Sequence, residues 1–392
     1  MRILITGARA PVALELVRLL AQSGHQVWCA DSLPISLAGS SRFAQGYHRL
    51  PPARYERTAF GKSLLEFVQQ EKIDLLIPTC EEVFYVAAWH TALSRYCRVW
   101  CEALSELWRW HHKGEFQRYA ASLGIRTPRT RELHSRQELY AALPDFPRYL
   151  LKPAFSRFSQ TIISNCLPQN SLTLEDCRAS QEQPWLLQEF VDGVNECSYS
   201  VVHEGVIRAH CAYRIPVSAQ GGAGSSFQSV DGRESLEIAQ KLVSKGYSGQ
   251  LSLDFIRTPD NELVVLECNP RTTSAVHLME PSRLAEAIVH NKGDWLEPAG
   301  TERQLSLAVI PALFRQLFQK KFSREARKAL KQALRRRDVI WRSDDPQPYA
   351  SQIPLLWYFL RLARRKGISI FAATTDDLEW NGDADLFTTQ LA

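Results

Sequence analysis

Three oxygen-bearing side chains occupy matching positions on the two strands of a predicted β-hairpin. Asp254 lies on the first strand, and Glu267 and Asn269 lie on the second, after the turn-forming run Pro259-Asp260-Asn261. A two-residue loop at Asp260-Asn261 would place Asp254 directly opposite Glu267. Two carboxylates side by side repel each other unless a cation lies between them. Carboxylate and amide oxygens suit Mg²⁺, with Mn²⁺ as an alternative, so the pattern predicts a metal site.

A surface hairpin with scattered charge is the simpler interpretation of these residues. Two features favour the metal site. The strands are otherwise strongly apolar, with Leu251, Leu253 and Phe255 alternating along the first, and Arg271 adds a cation two residues after Asn269. The metal site is therefore the preferred interpretation.

The position of Lys152 in the sequence is unusual for a lysine that is simply solvated at the surface. It follows the apolar run Tyr149–Leu151 and precedes a proline, so we expect it at the end of a strand, where an ammonium group suits the oxygens of a phosphate. Lys113 lies on a helix predicted from Ser105 to Leu123, where a solvated lysine is the ordinary interpretation. The loop after Lys152, residues 154–160, contains no glycine.

The spacing of Asp254, Glu267 and Asn269 resembles that of the ATP-grasp superfamily, whose members carry an Asp on one strand and Glu-x-Asn at the end of the next. The continuation Asn269-Pro270-Arg271 resembles the carbamoyl-phosphate-synthase-like branch, which includes carboxylate–amine ligases. The resemblance covers roughly residues 1 to 290. It implies that the three hairpin side chains bind the magnesium of Mg-ATP.

The resemblance also implies roles for the cations and an adenine site. Lys113 and Lys152 would neutralise phosphate oxygens of ATP. Arg271 would stabilise the transferring phosphoryl group or hold the substrate carboxylate, so Arg271 and Lys152 are the expected catalytic residues. The residues expected to contact adenine and ribose are Glu189, Phe190, Val191 and Glu196, the last displaced by one position from the usual spacing.

The reaction implied by the resemblance is carboxylate activation. A substrate carboxylate attacks the γ-phosphorus of ATP, ADP leaves, and an amine displaces phosphate from the acyl phosphate to give an amide. The partners would then be a small carboxylate and a small amine. Two alternatives stay open. One is a bicarbonate-activating enzyme of the carbamoyl-phosphate or biotin-carboxylase type, and the other is a non-catalytic ATP-binding regulatory protein, which the glycine-free loop favours.

The first 104 residues alternate strands and helices, which predicts a parallel, doubly wound sheet. Gly7 followed by Asp31 at the end of the second strand is typical of dinucleotide sites, but the other glycines of that motif are missing. The resemblance implies instead a Rossmann-like domain that faces the substrate. Glu81 and Glu82 follow the third strand, either as ligand-binding groups at the sheet edge or as charges at a helix N-terminus.

We therefore predict an α/β protein of four parts. They are a Rossmann-like domain (1–104), a first (105–187) and a second (188–300) ATP-grasp subdomain, the second with the metal site, and a mainly helical C-terminal extension (301–392). Within the extension, Arg315–Arg337 is rich in lysine and arginine. We expect a basic helix that packs on the protein and binds neither membrane nor nucleic acid. The glycine-rich run 221–226 predicts a connector or a loop that closes on substrate.

The composition is that of a globular protein of moderate charge. The chain has 392 residues, 45% of them hydrophobic, and a net charge of +5, so it can bury several cores. Nine scattered cysteines without a C-x-x-C pair predict reduced thiols and a cytoplasmic location. We expect neither a signal peptide nor a membrane span. The oligomeric state is left open, with a homodimer as one alternative.

Overall fold

The computed structural model describes residues 1–155, 161–167, 172–218, 224–244, 246–306, 336–383 and 385–387. The strands are β1 (Arg2–Thr6), β2 (Gln26–Asp31), β3 (Gly46–Arg49), β4 (Leu75–Ile77), β5 (Arg98–Val99), β6 (Thr130–Leu133), β7 (Tyr149–Pro153), β8 (Ile163–Ser164), β9 (Trp185–Glu189), β10 (Val194–His203), β11 (Val206–Ser218), β12 (Gly224–Val230), β13 (Gly249–Arg257), β14 (Leu263–Asn269), β15 (Trp295–Leu296), β16 (Glu302–Gln304) and β17 (Arg337–Asp338). The α-helices are α1 (Pro11–Gln22), α2 (Arg57–Gln70), α3 (Glu82–Ala88), α4 (His90–Leu93), α5 (Leu104–His111), α6 (Lys113–Ser122), α7 (Arg136–Ala142), α8 (Arg233–Val243), α9 (Pro281–His290), α10 (Gln347–Lys366) and α11 (Ile370–Ala373). Short 3₁₀ helices span Ala38–Ser40, Leu143–Asp145, Leu174–Asp176 and Ser274–His277.

The first sheet is parallel and has the strand order β3-β2-β1-β4-β5. Its centre is apolar because Ile3, Leu4 and Ile5 of β1 are fully buried. Gly7 then turns the chain at a φ of 67°, and Pro11 begins α1 at a position that needs no amide hydrogen. The predicted parallel sheet is confirmed. The sequence analysis missed β3, because its side chains are polar and only half-buried.

The other two sheets are largely antiparallel. The second has the order β6-β9-β7-β8, and the third has the path β14-β13-β10-β11-β12-β16-β17 with β15 beside β11. Leu133, Leu151 and Leu187 of the second sheet pack with Leu139 of α7 in one core. The predicted mixed α/β fold is confirmed at this level. The four-part division of the chain stays a prediction, and β9 crosses the boundary predicted between residues 187 and 188.

The prediction of a single helix from Ser105 to Leu123 is wrong. The chain forms two helices, α5 and α6, with a break at His112. The His112 backbone is extended, and its Nδ1 accepts a hydrogen bond of 3.1 Å from the Glu115 amide, so His112 caps α6. Lys113 therefore becomes the first residue of a helix. The predicted end is correct, since Gly124 has a φ of 70° just after α6.

The C-terminal residues pack against the first sheet. Leu355 and Phe359 of α10 join its apolar core. Arg18 of α1 and Asp345 form a fully buried ion pair at 2.8 Å. Trp380 is 1% exposed. The C-terminal part contains strands as well as helices, because β16 and β17 extend the third sheet.

Several predictions fall on residues that the structure does not describe. Residues 156–160 of the glycine-free loop, residues 221–223 of the glycine-rich run and residues 315–335 of the basic stretch lie outside the described ranges. Arg337, at the end of the basic stretch, lies in β17 and not in a helix. Within the described ranges, every helix is too short or too polar to cross a membrane.

Candidate active site

The hairpin of β13 and β14 brings the predicted metal ligands together. Asp254 and Glu267 form a direct cross-strand pair, as predicted, and Asn269 lies two residues further along β14. Asn269 Nδ2 donates a hydrogen bond of 3.0 Å to Asp254 Oδ2. Arg271 Nη2 donates one of 3.2 Å to Asn269 Oδ1. Asp254, Asn269 and Arg271 are thus directly connected beside the paired carboxylate of Glu267.

The pairing of Asp254 with Glu267 results from a loop and a bulge that the sequence analysis did not predict. The predicted two-residue loop is wrong, since a backbone hydrogen bond of 2.9 Å from Thr258 to Glu262 closes a three-residue loop. That loop alone would turn the two carboxylates to opposite faces, because each shift of one residue changes the face. Leu266 bulges out of the strand ladder. This extra residue restores the predicted pair.

Two buried lysines approach the carboxylate of Glu267. Lys152 Nζ lies 3.5 Å and Lys113 Nζ 3.8 Å from the same Oε2 atom. The side chains of Lys152 and Lys113 are 6% and 4% exposed. Burial alone would raise the pKa of Glu267, but the two ammonium groups lower it overall. Burial lowers the pKa of Lys113 in spite of Glu267.

Each lysine is positioned by the element that carries it. Lys152 lies on β7, in the middle of the second sheet. Lys113 begins α6 because His112 interrupts the preceding helix. The Lys113 amide donates a hydrogen bond of 3.1 Å to the Ala154 carbonyl, just past β7. The two lysines, 39 positions apart by their residue numbers, therefore meet on one carboxylate.

The oxygens of the hairpin fit a divalent cation. Burial and the neighbouring carboxylate of Glu267 raise the pKa of Asp254 to about 6, and a positive charge between the two groups would relieve this repulsion. Asn269 adds an amide oxygen, and all three side chains are of the type that Mg²⁺ prefers. The described residues hold no cluster of three His, Cys, Asp or Glu placed for a metal ion. This site instead combines two carboxylates with an amide.

Comparison with known proteins gives no match by sequence and clear matches by structure. The sequence matches no family model and no curated protein. An N5-carboxyaminoimidazole ribonucleotide synthetase solved with ADP matches at a TM-score of 0.60 and 12% identity, over 81% of this chain and 84% of its own. The phosphoribosylamine–glycine ligase of Thermotoga maritima matches at 0.58 and 16%, over 77% and 78%. The L-amino acid ligase of Bacillus licheniformis matches at 0.55 and 12%, over 74% of both chains.

These similar structures are ATP-grasp carboxylate–amine ligases. The chain has the ATP-grasp fold. The resemblance inferred from Asp254, Glu267 and Asn269 is thereby confirmed at the level of the fold, because identities of 11–16% show no more than that.

The residues predicted to contact adenine lie at the end of β9 in the ATP-grasp fold. Glu189 is the last residue of this strand, and its Oε1 accepts a hydrogen bond of 2.8 Å from the Arg129 amide. Phe190 lies under the Arg148 guanidinium, 5.0 Å from the ring centre. Val191 follows in the connection to β10. The backbone of Arg129 therefore holds the Glu189 side chain at the end of the strand.

Glu196 lies on β10, and two arginines hold its carboxylate. Arg214 Nη2 lies 2.5 Å from Oε1, and Arg257 Nη2 lies 3.1 Å from Oε2. The Glu196 side chain is 4% exposed. The sequence analysis did not predict that Arg214 and Arg257 would pair with Glu196. The available signal was the hairpin of β10 and β11, whose register pairs Glu196 with Arg214.

At the carboxyl edge of the first sheet, where open α/β sheets bind ligands, the chain's own side chains contact one another closely. Glu82 accepts a hydrogen bond of 2.9 Å from the Thr79 amide, and a Cβ on Gly7 would lie 2.6 Å from Thr79 Oγ1. Arg9 Nη2 lies 2.5 Å from Asp31 Oδ1, so the carboxylate of Asp31 already has a cationic partner. Of the two interpretations for Glu82, the charge at a helix N-terminus is the one that these contacts support.

The neighbouring residue, Glu81, lies beside Arg271. Glu81 is 1% exposed, and its Oε1 lies 4.0 Å from Arg271 Nη2. Its Oε2 accepts a hydrogen bond of 3.4 Å from the Trp380 amide. Glu81 thus links the first sheet and the C-terminal residues to the predicted catalytic arginine, and its role as a ligand-binding group stays a prediction.

Proposed function

We propose that the chain is an ATP-dependent carboxylate–amine ligase. The observation that carries this proposal is the environment of Glu267, which faces a second carboxylate at Asp254 and two buried ammonium groups within 3.8 Å. Buried charges that are only loosely paired cost free energy and cluster at functional sites. Mg-ATP would supply charges of both signs, negative for the lysines and positive for the carboxylates. The ATP-grasp fold supports this assignment.

The proposed roles follow from the side chains that surround this carboxylate. Asp254, Glu267 and Asn269 would hold Mg²⁺, which when bound neutralises charge on the phosphates. Lys113 and Lys152 bind phosphate oxygens. The side chain of Arg271 is 17% exposed, and its planar fork can engage either the transferring phosphoryl group or the substrate carboxylate through two hydrogen bonds.

The adenosine half of ATP is proposed to lie along the connection from β9 to β10. Glu189, Phe190 and Val191 would contact adenine, and Glu196 would accept hydrogen bonds from the ribose hydroxyls. Glu196 is already oriented by Arg214 and Arg257. Among the described residues, Oε1 accepts bonds from both arginines and Oε2 accepts one, from Arg257 Nη2, so Oε2 is the oxygen that keeps a lone pair for a ribose hydroxyl.

In the proposed reaction, a carboxylate oxygen of the substrate bonds to the γ-phosphorus of ATP and the bond to ADP breaks. The nitrogen of a neutral amine then bonds to the acyl carbon, phosphate leaves, and the amine proton passes to solvent. Catalysis comes from positioning and charge stabilisation, so no protein base is required.

A bicarbonate-activating enzyme is the second candidate. The observation that favours it is the similarity to carboxyaminoimidazole ribonucleotide synthetases, which recur among the similar structures. Bicarbonate therefore belongs among the acids tested.

The first experiment measures the binding of ATP by calorimetry, with and without magnesium, for the wild type and Glu267→Gln. We expect the substitution to weaken binding in magnesium and to change it little in its absence. Glu262→Gln is a matched control, because Glu262 precedes β14 and its side chain is 55% exposed. Equal affinity of the wild type and Glu267→Gln in saturating magnesium would contradict the metal assignment.

The second experiment screens pairs of carboxylates and amines for the release of ADP and phosphate. Release that depends on an organic carboxylate indicates the ligase, whereas release that depends on bicarbonate as the acid indicates the second candidate. ATP binding without release by any pair would favour the regulatory alternative.

A further inference from the structure

We propose that Gln117 is a positioning residue that fixes the bulge of β14 and thereby the place of Glu267. Gln117 lies in α6, one helical turn after Lys113, and is 4% exposed. Its Nε2 donates a hydrogen bond of 2.8 Å to the carbonyl of Leu266. The inference rests on the proposed function, because it takes Glu267 as a ligand of Mg-ATP.

Leu266 is the residue on which the geometry of the site depends. It has no partner on β13 and is the extra residue that sets Glu267 opposite Asp254. Without the bulge, the three-residue loop would pair Asp254 with Leu266, and Glu267 would point to the other face of the hairpin. A group that holds the Leu266 carbonyl outside the ladder therefore favours the register that faces two carboxylates toward each other.

α6 is well placed to supply that group. β14 is the edge strand of the third sheet, so its outward backbone groups need partners from elsewhere. The segment after α6 provides one, since the Arg126 carbonyl accepts a hydrogen bond of 3.0 Å from the Val265 amide. α6 itself provides Gln117 for Leu266 and Lys113 for Glu267. One helix thus supports two adjacent residues of the edge strand.

The start of α6 is tied to the second sheet as well. The Lys113 amide bonds to the Ala154 carbonyl at 3.1 Å. α6 therefore connects the end of β7, which carries Lys152, with the bulge before Glu267. This connection sets the separation between the proposed phosphate-binding lysines and the proposed metal-binding carboxylate.

A purely stabilising role explains Gln117 less well. Its Oε1 is buried and has no hydrogen-bond partner among the described residues. A buried acceptor without a partner costs free energy, and an apolar side chain of the same length would remove that cost. The amide is thus best explained by its single donor contact with Leu266.

The test compares Gln117→Met with Tyr119→Phe. Tyr119 also lies in α6, and its hydroxyl donates a hydrogen bond of 2.8 Å to the carbonyl of Leu242 in α8 and not to the hairpin. Both substitutions therefore remove one bond from the same helix to a backbone carbonyl. Gln117→Asn is a second variant, because its amide is one methylene too short to reach Leu266.

The first readout is amide hydrogen exchange of residues 263–269 in the protein without nucleotide. We expect Gln117→Met and Gln117→Asn to speed exchange there about three- to tenfold, as for the loss of one hydrogen bond, and Tyr119→Phe to leave it unchanged. Equal exchange in all of these proteins would overturn the inference whether or not nucleotide binds.

The second readout is the magnesium concentration that gives half-maximal ATP binding. We expect it to rise severalfold in Gln117→Met while the melting temperature stays near that of the wild type. A rise of the same size in Tyr119→Phe would overturn the inference, since general loosening of α6 would then explain it. Failure of the wild type to bind Mg-ATP would instead count against the proposed function, and the exchange data would still decide the role of Gln117.

Discussion

Two buried clusters of charge differ in how completely the chain itself satisfies them. In the first, Arg9 lies 2.5 Å from Asp31 and 2.6 Å from Asp377, with both contacts made by different guanidinium nitrogens. In the second, Lys152 and Lys113 lie 3.5 and 3.8 Å from Glu267, which also faces Asp254. In the first cluster one guanidinium makes short hydrogen bonds to both carboxylates, whereas in the second the ammonium groups make longer contacts, and both are to Glu267. We therefore propose that the first, closed cluster serves the fold and that the second, open cluster serves a ligand.

The pKa shifts agree with this distinction. Burial alone would lower the pKa of Arg9, but Asp31 and Asp377 raise it well above its ordinary value. In the second cluster, burial would raise the pKa of Glu267 but the two lysines lower it overall, whereas burial and Glu267 raise the pKa of Asp254 to about 6. The charge of Asp254 is therefore the one that this cluster leaves uncompensated. A closed cluster stabilises its charges, and an open one requires a further ion to do so.

The largest expected effect is on the closed cluster. Arg9→Met leaves Asp31 and Asp377 buried without their cation and should lower the free energy of unfolding by about 3–5 kcal/mol. Denaturant unfolding followed by circular dichroism measures the change. Arg233→Met is the control, because Arg233 and Asp231 form an exposed pair that should contribute little. A loss below about 1 kcal/mol in Arg9→Met would contradict the view that this cluster holds the fold together.

The next effect concerns turnover and not stability. Arg271→Lys should keep ATP affinity and lose roughly 100-fold in substrate-dependent ADP release, because lysine cannot reproduce the planar fork in the transition state. Steady-state kinetics with an active substrate pair, together with ATP titration, measure the two quantities. Unchanged turnover would indicate that Arg271 serves only its contacts with Asn269 and Glu81.

In the open cluster, we expect the loss of one lysine to change the stability of the protein little and to weaken ATP binding instead. We expect Lys152→Ala to weaken ATP binding about tenfold or more, and to do so more than Lys113→Ala, because Lys152 is the nearer of the two to Glu267. Calorimetric titration with Mg-ATP measures both variants. Full affinity in both would show that the lysines do not bind phosphate.

The sequence predicted the pairing of Asp254 with Glu267 but not the contacts around it, and the hairpin shows why. The pair of Asp254 and Glu267 was predicted with the wrong loop, and the unpredicted bulge at Leu266 compensated for that error. Side-chain alternation is a local property that a sequence displays. A bulge depends on contacts such as that from Gln117, which lies 149 residues earlier in the chain.

The same limit explains what was missed elsewhere. The break at His112 depends on a side-chain cap within a run that otherwise has a helical pattern. The closed cluster joins Arg9 to Asp377 across 368 residues, and no local pattern indicates that pairing. Arg9 and Asp377 each look like ordinary surface charges in the sequence. Only the packing of the C-terminal residues on the first sheet brings them together.

The smallest effect concerns the contribution of Asp377 at low pH. Burial would raise its pKa, but Arg9 lowers the pKa below the ordinary value of 3.8, so the folded state favours the charged carboxylate. A group with a lowered pKa stabilises the fold fully above its unfolded pKa and loses that contribution as the pH falls through its folded pKa. The wild type should therefore exceed Asp377→Asn by about 1–2 kcal/mol at neutral pH.

This difference should shrink as the pH falls below about 4, because the wild type then becomes protonated at the same position. Urea unfolding of both proteins from pH 6 to pH 3 measures it. Asp192→Asn is the control, since Asp192 pairs with Arg148 on the surface with its side chain 57% exposed, and the stabilities of the wild type and this variant should stay close at every pH. A difference between wild type and Asp377→Asn that persists unchanged at pH 3 would mean that the asparagine disturbs the packing around Arg9 and Ser32. The closed cluster would then depend on shape more than on charge, and the contrast with the open cluster at Glu267 would lose its electrostatic basis.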